Sequence, residues 1–100
     1  MSVYVDPIGE WGTSAAWRWN KSCHMFADTE DELHVIAQRI GLKRAWFQNS
    51  PSMPHYDLTE SKRRQAIKAG AQEVEWKFMA EFMEERVRQL KAAVTEGGAT

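Results

Sequence analysis

The chain has little that could fix its structure covalently. Its one cysteine, Cys23, excludes a disulfide framework and any zinc site built from several thiolates. Set in an apolar stretch, that cysteine reads as a small buried hydrophobe in a reducing compartment. No apolar run approaches the ~20 residues that a membrane-spanning helix needs. The opening MSVYVDPIGE has neither the basic region nor the apolar core of a secretory signal. A cytoplasmic protein with no membrane partner is therefore expected. Charge of one sign is missing too: 13 basic residues against 14 acidic ones leave a net charge of −1. No global field recruits nucleic acid or anionic lipid. Tryptophan, by contrast, is abundant, with five residues in 100. Its ring packs while its N–H keeps a polar partner, so binding surfaces use it heavily. A chain of this length makes one domain with a core of its own.

Residues 22–48 organise the rest. Cys23, His24, Met25, Phe26 and Ala27 have the length and apolarity of a buried strand. Thr29 followed by Glu32 matches a capping box, in which each side chain bonds the other residue's backbone amide. Leu33, Ile36, Ala37 and Ile40 then repeat at helical spacing, and Gly41 stands where a left-handed stop is needed. Ala45, Trp46 and Phe47 read as a resumed strand. Strand, helix and strand at this length predict parallel pairing with a right-handed crossover.

On either side of this unit, Val3, Tyr4 and Val5 form a short strand that Pro7 closes. Trp11, Trp17 and Trp19 sit in a stretch without clear period, a pinned loop or an early start of the second strand. A second helix is expected over 59–69, capped by Thr59 or Asp57 and stopped at Gly70, with a weak strand over 71–75. From 76 to about 94, Trp76, Met79, Met83, Val87, Leu90 and Val94 repeat every three or four residues, so the last helix is long and amphipathic. The expected fold is α/β: a small, mainly parallel sheet of three or four strands with three helices. Its divisions are a compact domain over 1–75, a helix over 76–96 that packs on it or mediates association, and a disordered tail over 97–100.

VDP near the start, CHM followed by AD, ELH on the first helix, WFQ, HYDLT and AGA resemble a family of small bacterial and phage proteins, the domain-of-unknown-function family numbered 4031. The resemblance covers roughly 3–74, and the helix after Trp76 looks like an extension. It implies a compact α/β domain and draws attention to His24, His34, His55, Tyr56 and Asp57. It implies no activity.

In an open parallel sheet, ligands bind outside the carboxyl ends of the strands. That rule gathers Asp6, Asp28, His34, His55, Tyr56 and Asp57 around one cleft, with His24 on the strand face that carries Asp28. Three readings compete. A divalent metal ion could be held by His34, His55 and Asp57. Acid–base chemistry could use His34 or His55 oriented by Asp57 or Asp28, with Tyr56 beside them. Each residue could instead be a bonded core group or a helix cap. The expected ligand is small and polar or phosphate-bearing, with Arg63 as clamp and a hydrolase-like reaction. The alternatives are a non-enzymatic protein that engages a host protein or a second copy through residues 76–94, and a single-strand binder. The binder would use Trp17, Arg18, Trp19 and Lys21 with Lys43, Arg44 and Trp46. Charge balance makes nucleic acid the weaker of these.

Overall fold

A computed structural model describes residues 2–10 and 21–98. The expectations for Trp11, Trp17 and Trp19 lie outside the described residues. Among the described residues the strands are β1 (Val3–Val5), β2 (Gly9–Glu10), β3 (Lys21–Ala27), β4 (Tyr56–Leu58) and β5 (Gln72–Glu73). The helices are α1 (Glu30–Arg39), α2 (Glu60–Lys68) and α3 (Trp76–Gly98).

The helix boundaries follow the local chemistry. Thr29 accepts from the amide of Glu32 at 3.3 Å, and Thr59 accepts from the amide of Lys62 at 3.2 Å. The second half of the expected capping box differs, because the Thr29 hydroxyl donates to the Glu32 carboxylate at 2.8 Å. Gly41 (φ 80°) and Gly70 (φ 116°) both turn left-handed to end α1 and α2. α3 continues through Gly97 and Gly98, beyond the expected frayed end.

The sheet corrects the predicted topology, for it is mostly antiparallel. β3 lies at its centre. Met25 pairs with Val5 of β1 on one edge and with Tyr56 of β4 on the other, both antiparallel. β2 pairs antiparallel with the start of β3, and the β1–β5 pair is parallel. The run Ala45 to Phe47 is no strand: Arg44–Trp46 forms a 3₁₀ turn, Trp46 stays 51% exposed, and only a Gln48–His55 bridge follows. An apolar run of three residues carries too little periodicity to separate a turn from a strand. The strand that does follow α1 is β4, and it returns antiparallel. Because β1 and β4 both oppose β3, they run the same way as β5. The strand–helix–strand unit with parallel ends is thus β4–α2–β5, one element later than expected.

Strand alternation then sorts the side chains. Val3, Val5, Cys23, Met25, Tyr56 and Leu58 face α1 and α2, where they pack with Leu33, Ile36, Ala37, Ile40 and Ala66. Fully burying one such aliphatic side chain contributes about 1.5–3 kcal/mol. Tyr4 and Phe26, paired across β1 and β3, face the other way and meet Phe78 at 4.8 Å and Phe82 at 4.9 Å between ring centroids on α3. The result is three layers, two helices on one face and one on the other.

Candidate metal centre

On the α3 face of the sheet, the same alternation places His24 of β3 beside Phe26. The antiparallel register sets Asp57 of β4 directly across from His24. His55, two residues before Asp57, shares that face. Its ring meets His24 edge-on at 5.0 Å.

Each group is held from behind. β1 ends where Pro7 removes a ladder donor. There Asp6 still donates its amide to the His24 carbonyl at 3.2 Å, but the return bond changes partner. The His24 amide donates to Asp6 Oδ1 at 2.7 Å, and His24 Nδ1 meets Asp6 Oδ2 at 2.7 Å. The Asp6 backbone carbonyl, released from the ladder, accepts from Arg63 Nε at 3.0 Å. Asp6 is fully buried, so these charge-assisted bonds offset its desolvation. His55 Nδ1 donates to the Met53 carbonyl at 2.7 Å, and Gln48 Nε2 donates to Asp57 Oδ2. With the proton anchored on Nδ1, Nε2 is the nitrogen of each neutral imidazole that carries the lone pair. Asp57 Oδ1 lies 3.6 Å from His55 Nε2 and 3.9 Å from His24 Nε2.

One donor atom from each of His24, His55 and Asp57 lies within 4.8 Å of the other two. Tetrahedral ligands at about 2.0–2.1 Å from an ion sit roughly 3.3 Å apart, so the set would have to draw together by a few tenths of an ångström at the His55–Asp57 pair and by up to about 1.5 Å at the widest pair. The Asp6 hydrogen bond raises the pKa of His24; burial opposes this, and the Asp6 and Asp57 charges reinforce it. Cys23, on the opposite face of β3, is no nucleophile at neutral pH. Burial, helped by the Asp6 charge, pushes its thiol up to about 12.

The other candidate residues go elsewhere. His34 and Tyr56 lie across the sheet on the α1 side, where His34 Nδ1 meets the Tyr56 hydroxyl at 2.9 Å and Phe47 packs edge-on against the imidazole. A cleft shared by His34 and His55 does not form, and the metal set pairs His55 and Asp57 with His24 in place of His34. The reason is alternation: His55 and Asp57 face one way, and Tyr56 between them faces the other. Asp28 accepts from the Ser2 amide at 2.9 Å and the Tyr4 hydroxyl at 3.0 Å, clasping the far end of β1 and β3. Arg63 bonds the Asp6 carbonyl through Nε and Glu73 through Nη1 at 3.1 Å, and so braces α2 against β1 and β5. The cluster also lies on the sheet face and not at a strand carboxyl edge, since the edge rule presumes parallel strands. Two supporting groups, Gln48 and the Met53 carbonyl, carried no sequence signal. Both come from the loop that precedes β4.

No curated protein and no solved structure matches the chain significantly. A family model described as a protein of unknown function, DUF4031, matches residues 3–86, so the span reaches into α3, which is not wholly an extension. All of the cluster and its supports fall within that span, and the chain belongs to the DUF4031 family.

Proposed function

We propose that His24, His55 and Asp57 bind one divalent transition-metal ion, and that the protein is a metal-dependent hydrolase for a small polar or phosphate-bearing substrate. One observation carries the reading. Two imidazole Nε2 atoms converge on one carboxylate oxygen, at 3.6 and 3.9 Å, while both Nδ1 atoms are anchored to oxygen acceptors. Two histidines and one carboxylate suit zinc or a similar ion, and the anchoring matches the outer-shell support that such ligands commonly have. Held by His24, His55 and Asp57, such an ion would keep open positions and would supply Lewis-acid chemistry to a bound water and a phosphoryl or carbonyl oxygen. Asp6 would hold the proton on His24 Nδ1, and the Met53 carbonyl would do the same at His55. Gln48 would hold Asp57 so that Oδ1 points inward.

The test is titration calorimetry of tag-free protein with Zn²⁺ and Mn²⁺, followed by assay of the loaded protein on a chromogenic phosphate ester. About one ion per chain should bind, with binding abolished in Asp57→Ala and in His55→Ala. Because the His55 side chain is only 14% exposed, circular dichroism must first show that its variant is folded. Asp6→Asn should weaken binding by about 10–100-fold, since it acts through His24. Absence of binding, or unchanged affinity in Asp57→Ala, would sink the proposal. Binding without hydrolysis would keep the site and remove the enzyme.

A further inference from the structure

α3 has 23 residues, about 34 Å of helix, and its two halves do different things. Phe78 and Phe82 pack on Tyr4 and Phe26 of the sheet. From Arg86, which donates to the Pro51 carbonyl at 2.8 Å, the helix runs beside the loop at residues 51–52. That loop and Val87, Leu90, Lys91 and Val94 border an open groove of about 690 Å³. Leu90 is 39% exposed and Val94 74% exposed. These residues are not scattered. Ala80, Met83, Val87, Leu90 and Val94 are spaced three, four, three and four apart, which is the seam of a two-stranded coiled coil. Phe78 and Phe82 lie on a different side of the helix, so docking on the sheet leaves Leu90 and Val94 of the seam exposed, while Met83 and Val87 stay half-buried.

The charges beside the seam select the occupant. Glu84 and Lys91 each follow a seam residue, Met83 and Leu90, and each is exposed. Neither makes an ion pair among the described residues, where Arg88, four residues after Glu84, bonds Glu85 instead. Set against a second copy running antiparallel, Val87 faces Leu90 of the partner subunit and Met83 faces Val94 of the partner subunit. Glu84 then meets Lys91 of the partner subunit, and the twofold axis makes that pair twice. A parallel copy would set Arg86 against Lys91 of the partner subunit, like charge on like charge. We infer that the protein forms an antiparallel homodimer through the second half of α3, with Glu84–Lys91 pairs fixing the direction.

Sedimentation equilibrium of the full chain across micromolar concentrations tests this. The parent should be dimeric, and Leu90→Glu, at an exposed position, should be monomeric with unchanged circular dichroism. Glu84→Lys and Lys91→Glu should each weaken the dimer by about tenfold or more, and the double exchange should restore it. A monomeric parent overturns the inference, as does a dimer indifferent to Leu90→Glu. Single exchanges that do not rescue one another overturn the antiparallel direction.

Discussion

Burial holds His34 below the ordinary histidine range, and the Arg44 charge acts in the same sense against the weaker pull of Glu30 and Asp31. Its Nε2 is buried without a hydrogen-bond partner among the described residues, which makes a proton there costly. The sign of the linkage follows. The unfolded chain takes up this proton near pH 6.5 and the folded chain only at lower pH, so the stability that depends on neutral His34 is complete above 6.5 and is lost as pH falls through the folded value. His24 runs oppositely, since Asp6 raises its pKa: its contribution is full below 6.5 and is lost as pH rises through the folded value. Comparing the parent with His34→Gln by urea unfolding in a chelating buffer separates the two. The parent's advantage should shrink on going from pH 7.5 to pH 5, and an advantage that grew would refute the assignment. The chemistry of His34 was visible in its spacing on α1. The Tyr56 hydroxyl that partners it, across 22 positions of chain, was not.

At the scale of elements, the caps and stops were the most legible features. Thr29, Thr59, Gly41 and Gly70 all act where their residue types require, because capping is settled within four residues. Gly41→Ala should therefore destabilise the fold by about 1 kcal/mol through backbone strain. An added Cβ would meet only Lys62 Nζ at 3.5 Å, an ordinary contact, so the cost is conformational and not steric. Chemical denaturation reads it directly, and an unchanged midpoint would show that the left-handed turn relaxes. Strand identity was less legible. Tyr56–Leu58 spans three residues, and Gln72–Glu73 two, with both residues of the latter exposed. Such strands are defined by the neighbour they bond and carry almost no pattern of their own.

For the whole molecule, the radius of gyration is 14.5 Å, against about 13 Å for a compact domain of 100 residues. The long axis is 47 Å and the other two are 27 Å each. No side chain of α3 from 76 to 94 is fully buried, so the third layer is held mainly by an aromatic cluster. Phe82 contacts Phe26 at 4.9 Å and Tyr4 at 6.1 Å, and aromatic pairs of this kind contribute about 0.5–1.5 kcal/mol each beyond the area they bury. Phe82→Ala should cost roughly 2–3 kcal/mol and lower the melting temperature, with metal affinity unchanged in the folded protein. A variant as stable as the parent would mean that α3 is not docked on the sheet in solution. The docked position also separates Phe82 from the coiled-coil seam, so a charged residue at 82 probes the fold and one at 90 probes association.

By itself, the sequence determined the two capped helices and their glycine stops, the long amphipathic helix, and the face of β3 on which His24 lies. These are decided by side chains within a few residues of one another, where periods of 3.6 and 2 can be read directly. Only the tertiary structure decided strand direction and register. Antiparallel pairing sets Asp57 against His24, while α1 packs on the far face and brings His34 to Tyr56 there. That pairing rests on bonds between segments more than thirty residues apart, whose partners no local pattern specifies. The same bonds select which of the three histidines meet. The cluster of His24, His55 and Asp57 is thus a product of register, assembled from residues that were each visible in the sequence.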